Sequence, residues 1–324
     1  MLLLHWTACR HAIRTPILAP ASRALSISSR LAKDPRLGDI GRVIEDEYAI
    51  VRDNYETPKN PIILAHGLLG FNELKLGGSM LPGIHYWRGI TEALSQKGIE
   101  VITAAVPASG SIEARAEKLA ETIAEKAHGK SVNIIASNQK NSGLDSRYMI
   151  SQLKPPNVRV LSLTTIATPH RGSAFADYMF DTIPPRAVKR IYKALEYVGF
   201  ETGAFSQLTR RYMAESFNPR TPDVDGIRYF SYGATLEPTF WSIFKPSHNI
   251  IKRIEGAPND GLVSVPSSQW GEYKGTLVGV SHLDLINWTN RIKWFFWELT
   301  GSKRNFNAIA FYLDIADMLA KEGL

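Results

Sequence analysis

The chain has 324 residues, 44% hydrophobic and 21% charged, with a formal net charge of +7. Such a chain can bury a large globular core, and no low-complexity linker or internal repeat divides it. The basic excess is concentrated in residues 1–33, so the remaining body offers no field that calls for a nucleic-acid partner. The one cysteine, Cys9, excludes an intrachain disulfide, and no apolar run reaches the roughly 18 residues of a transmembrane helix.

Residues 1–33 hold Arg10, Arg14, Arg23, Arg30 and Lys33 and no acidic residue. Arg-spaced, Ser-containing, acid-free sequence is the composition of a mitochondrial transit peptide, and the expected location is mitochondrial. The stretch Arg23-Ala24-Leu25-Ser26-Ile27-Ser28-Ser29 resembles the processing region of fungal presequences. A disordered tail without function is the plain alternative. A secretory signal is a third, opposed by Arg10 and Arg14, which interrupt any apolar core. Residues 34–324 are expected to form the folded domain.

Ile62-Ile63-Leu64-Ala65 reads as a buried strand running into His66-Gly67. A helix follows over 87–97, then a strand over 101–106 and an amphipathic helix over 111–128. Further strands are expected over 132–136 and 158–166 around a helix at 143–153, and again at 227–232 and 276–280. Strands alternating with helices of this length mean right-handed βαβ units, so the fold class is α/β with a mostly parallel sheet and helices on both faces. Chemistry then belongs at the carboxyl ends of the strands. Val188, Ile191, Tyr192, Leu195 and Val198 recur at helical spacing after Pro184-Pro185. This stripe is either an ordinary surface helix or a lid, the lid spanning about 178–215. A final amphipathic helix covers 306–321.

Three clusters fit a Ser–His–Asp hydrolase in the chain order serine, acid, histidine. His66-Gly67-Leu68-Leu69-Gly70 can turn a backbone N–H toward a developing oxyanion. Asn259-Asp260-Gly261-Leu262-Val263 places an acid in a glycine turn, although Asp-Gly is most often only a turn. Val280-Ser281-His282-Leu283-Asp284 places a histidine at the exit of the last strand, where Asp260 can fix its tautomer. No HExxH, P-loop, GxGxxG or cysteine cluster is present, so no zinc or nucleotide cofactor is expected.

With Thr168-Pro169-His170-Arg171-Gly172-Ser173 and Gly226-Ile227-Arg228-Tyr229-Phe230-Ser231-Tyr232-Gly233, these clusters resemble the bacterial triacylglycerol lipases of the Pseudomonas and Burkholderia kind and their fungal mitochondrial relatives. The resemblance runs from about residue 60 to 297. It implies an α/β-hydrolase fold with a helical lid, an acylglycerol or other lipid ester as substrate, and a lipid surface met through the lid. It also implies Asp260 as triad acid, His282 as triad base and the N–H of Leu68 as an oxyanion donor. Asp284 falls where the bacterial relatives hold calcium, with Glu237 the nearest second carboxylate and Trp288 where an oxygen ligand is needed.

The nucleophile is missing. The resembled family joins strand to helix by an elbow of the G/A-H-S-x-G-G kind, whereas this chain reads Ser137-Asn138-Gln139-Lys140-Asn141-Ser142 between Ala136 and Gly143. Counting forward from Ala136 puts the nucleophile at Asn138, and counting back from Gly143 puts it at Lys140. The joint is two residues longer than the elbow, and its bulky polar residues oppose the strained turn that exposes the serine. Four readings fit: a gene-model or splice defect, a catalytically dead scaffold binding lipid or protein, Ser137 as a displaced nucleophile, or Ser142 in that role.

Overall fold

The computed structural model describes residues 41–67, 73–74, 84–85, 87, 89–106, 110–137, 142–182, 205–239, 242–287 and 306–324. The transit segment 1–33, Leu68 and the rest of its turn, the joint residues 138–141, the centre of the expected lid at 183–204 and Trp288 lie outside them.

Seven parallel strands form the main sheet. In chain order they are β1 (Val43–Ile44), β2 (Ile62–Gly67), β5 (Val101–Val106), β6 (Ser131–Ser137), β7 (Arg159–Ile166), β8 (Arg228–Thr235) and β9 (Glu272–Val278). They lie side by side as β1-β9-β8-β7-β6-β2-β5. The short β3 (Glu73–Leu74) and β4 (Ile84–His85) pair antiparallel elsewhere. A parallel sheet covered on both faces needs apolar residues on both, and the strand period of two sorts them. Ile62 and Leu64 enter one core with Trp87, Phe311 and Tyr312. Ile63 and Ala65 enter another with Leu119, Ile123 and Met149.

Among the described residues the main helices are α1 (Ile90–Gln96), α2 (Ile112–Ala127), α3 (Ser142–Tyr148), α4 (Ala174–Thr182), α5 (Lys245–Glu255), α6 (Val265–Ser268) and α7 (Ala308–Lys321), with shorter helical pieces at Arg210–Tyr212 and Asn218–Arg220. Ser111 caps α2 by accepting from the Ala114 N–H, and His128 closes it in the left-handed conformation. The expected helix over 143–153 is real but not uniform: after Tyr148 it widens into a π turn, Met149–Leu153. The expected strand over 276–280 starts four residues earlier, at Glu272. Its first residues, Glu272-Tyr273-Lys274, sit at the half-exposed end of the sheet, so the apolar pattern did not mark them.

One buried ion pair ties α2 to α3. The Arg115 guanidinium donates to Asp145 through Nε and through NH2, the latter at 2.8 Å, and both side chains are buried. Burial pushes the Asp145 carboxyl up to about 6, against the pull of Arg115. Arg115→Ala strands a buried carboxylate and is expected to cost about 3–5 kcal/mol in urea unfolding at pH 8. A raised pKa means that the folded state loses stability as pH rises through it. The loss in the variant is therefore expected to shrink at pH 5, where the lone carboxyl takes a proton.

Candidate active site

Asp260 and His282 meet at the carboxyl end of the sheet. Beyond β8 the chain passes through α5 and returns at Asn259, whose carbonyl accepts from Leu236 N–H at 3.0 Å, fastening the acid turn to the exit of β8. Asp260 Oδ1 accepts from the N–H groups of Leu262 (3.0 Å) and Val263 (2.8 Å), an Asx turn. Gly261 has φ +101°, and a Cβ there would lie 2.6 Å from Phe244 Cβ, so glycine is required. With Oδ1 held by the turn, Oδ2 lies 2.7 Å from Nδ1 of His282. His282 N–H also donates to the Asp260 carbonyl at 3.2 Å.

Both side chains are buried, Asp260 at 0% and His282 at 3% exposure. A carboxylate there accepts from Nδ1–H, the tautomer that leaves Nε2 of a neutral imidazole as the acceptor. That is the arrangement of a general base held in one tautomer.

The joint is anchored on both sides. Ser137, the last residue of β6, pairs in register with Ile166. At the start of α3, a Cβ on Gly143 would fall 2.3 Å from Thr168 Oγ1, so the helix can approach β7 only with glycine there. Ser137 is buried, and its Oγ has no hydrogen-bond partner among the described residues; it is not bonded to His282. The Thr168 hydroxyl is buried and unpartnered too. One orphan hydroxyl thus lies at the end of β6 and the other against Gly143. Ser142 is buried at the start of α3, its carbonyl accepting from Ser146 Oγ at 2.7 Å.

Asp284 is occupied locally. Its Oδ2 accepts from Ser281 N–H (2.9 Å) and Ser281 Oγ (2.6 Å), closing the turn that carries His282. Glu237 instead pairs with Lys252 at 3.2 Å on the surface. Among the described residues no three His, Cys, Asp or Glu side chains come together. Calcium needs six or more oxygens, and the described side chains bring together no such set at Asp284.

The Thr-Pro-His-Arg-Gly-Ser stretch, read above only as part of a resemblance, fastens the exit of β7 to the acid turn. Ser173 Oγ donates to the Leu262 carbonyl at 2.9 Å, and Arg171 NH1 to the Pro266 carbonyl at 2.8 Å. His170 is buried with Nε2 2.9 Å from Thr165 Oγ1; desolvation and the cations Arg147 and Arg171 hold its pKa well below the usual value. Arg147, from α3, lies 3.5 Å over the Trp270 ring and donates to Asn218 and to the Thr221 carbonyl. No apolar periodicity signals such partners; only their place beside strand exits does.

No family model matches the chain. Triacylglycerol lipase 2 of Saccharomyces cerevisiae is 38% identical to it, over 84% of this chain and 95% of that protein. The chain belongs to the triacylglycerol lipase family of the α/β-hydrolase type. The triacylglycerol lipase of Vibrio cholerae is 29% identical over 74% of this chain and 83% of its own. In fold, the crystal structure of Staphylococcus hyicus lipase superposes with a TM-score of 0.57 at 20% identity, covering 84% of this chain and 98% of that one. This lipase chain holds Asp260 against His282 and departs from the elbow pattern quoted above at residues 137–142.

Proposed function

We propose that the chain is built to hydrolyse the carboxylic ester of an acylglycerol, and that as written it holds the acid–base half of that site without its nucleophile. The 2.7 Å contact between Asp260 Oδ2 and His282 Nδ1 carries this reading. With a serine at the joint, His282 Nε2 removes the hydroxyl proton as the oxygen attacks the ester carbonyl. The N–H of Leu68 and one at the start of α3 stabilise the oxyanion, and His282 then returns the proton to the departing glycerol oxygen. Water repeats the cycle on the acyl-enzyme. Asp260 orients the imidazole and stabilises its protonated form throughout.

Between a defective gene model and a dead scaffold, the intact fittings favour the first. Asp260–His282 and the Gly143–Thr168 approach are what an elbow needs, while residues 137–142 lack its sequence. Sequencing the transcript across the codons for residues 136–143 separates them. Codons for His-Ser-x-Gly before Gly143 support the enzyme; codons for the sequence as written support the scaffold. The functional test is hydrolysis of emulsified triacylglycerol by the chain repaired at residues 137–142: fatty acid release supports the reading, and an inert folded protein overturns it.

Two further parts belong to this proposal. Residues 1–33 act as a mitochondrial import signal, because they unite five cations with no acid. Fused to a fluorescent protein they are expected to carry it into mitochondria; a cytosolic reporter removes this part. Residues around 178–215 act as a lid meeting the lipid surface, with Val188, Ile191, Tyr192, Leu195 and Val198 as its apolar face. Ile191→Glu with Leu195→Glu is expected to abolish the rise in rate of the repaired enzyme at an emulsion while sparing a soluble short-chain ester. Equal loss on both substrates overturns the lid.

A further inference from the structure

Tyr232 takes no part in the site of Asp260 and His282. It sits in β8 with its ring edge-on to Phe311 of α7, the centroids 5.1 Å apart. The side chain is 2% exposed, and its hydroxyl makes no hydrogen bond to a described residue. A buried phenol ordinarily finds a partner for its O–H. Tyr232 instead lines a cavity of about 560 Å³ between α7 and the β1, β9 and β8 side of the sheet, the size of a small-molecule site. Ile44 and Met318 supply its apolar wall, and none of its lining residues belongs to the candidate active site.

The cavity rim holds four cations and four carboxylates, and they neutralise one another. Arg42 donates to Glu47, and Arg52 to Asp314 and Asp317. Lys274 meets Glu322 at 3.2 Å, and Lys321 meets Asp317 at 2.8 Å. An ion of either sign therefore gains no net attraction there. A hydroxyl group does better, because it accepts from the cation of a pair while donating to the carboxylate. The Arg52 guanidinium meets its carboxylates through one nitrogen and keeps N–H groups to spare. Deeper in, Tyr48 gives its hydrogen to Asp314 at 2.9 Å. Burial and the Asp314 carboxylate raise the pKa of both tyrosines, so Tyr232 keeps a hydrogen to donate.

We propose that this cavity binds a neutral polyhydroxyl compound of sugar or inositol size. Its adjacent hydroxyls bridge the rim ion pairs, one oxygen accepts from Tyr232, and its C–H groups lie on Ile44 and Met318. The site is independent of the missing nucleophile and of the lipase reading.

The test is saturation-transfer difference NMR on the full chain, titrated with maltose, a glycoside, and with myo-inositol, a free cyclitol. A saturable signal from at least one is expected, and the one that gives it identifies the source. Tyr232→Phe keeps the ring against Phe311 and removes only the hydroxyl; it is expected to weaken affinity about three- to tenfold. Arg52→Gln leaves Asp317 paired with Lys321 and is expected to weaken affinity by a similar factor. Cooperative melting of the variants separates these losses from unfolding. No saturable signal from either compound overturns the proposal. Undiminished affinity in either folded variant overturns it as well, because the binding then lies elsewhere. Sodium acetate and betaine, an anion and a zwitterion, are titrated in the same way. Tighter binding of either than of both neutral compounds shows that the rim selects charge, and the proposal fails.

Discussion

Replacing residues 137–142 by His-Ser-Met-Gly is expected to raise ester turnover by a factor on the order of 10⁶ over the chain as written, the scale on which a triad nucleophile matters. The two ends of the joint are already placed. β6 keeps its register with β7 as far as Ser137, and α3 is held at Gly143 by its contact with Thr168. Shortening the joint by two residues leaves the β6–β7 register up to Ala136 and the Gly143–Thr168 approach, and restores small residues beside the strained position. The gain is expected in kcat on a soluble short-chain ester and on an emulsion alike. It should vanish in the repaired chain carrying His282→Ala. A repaired protein that melts cooperatively yet stays inert assigns the chain to the scaffold class.

In the repaired chain, Asp260→Asn is expected to lower kcat by about 10⁴ with little change in KM. The substitution keeps size and leaves one oxygen for the Leu262 and Val263 N–H groups, so the turn survives. Toward His282 it presents an amide N–H where Oδ2 stood 2.7 Å from Nδ1. The imidazole then moves its hydrogen to Nε2 and can no longer take the serine proton. Melting temperature separates this from collapse of the turn. An asparagine variant within tenfold of its parent in kcat would make Asp260 a turn residue and no more.

Strand and helix periods were readable where a strand is covered on both faces, as β2 is, and a helix on one, as α2 is. Ile62-Ile63-Leu64-Ala65 feeds two cores at once, so it reads as a continuous apolar run. α5 was not legible: the outward Ile254 blurs the single stripe that marks an ordinary surface helix. β1 has two residues and takes its place only through β9. In the site, the glycine turn before Leu262 and the histidine after the last strand were visible as residue types. Their union through one carboxylate oxygen was not, since it depends on the other oxygen being held by the turn. Asp284 stands at a calcium position only by resemblance; that its Oδ2 closes a turn on Ser281 is a local role the residue pattern did not show.

In the proposed site, the chain as written has a held base and no serine for it to serve. The most direct measurement is incubation of that literal chain with a fluorophosphonate, followed by intact mass and peptide mapping. The expected result is no adduct on any serine at concentrations that label the repaired chain fully at its joint. An adduct on Ser137 or Ser142, lost with the matching alanine substitution, would contradict it and make that residue the nucleophile.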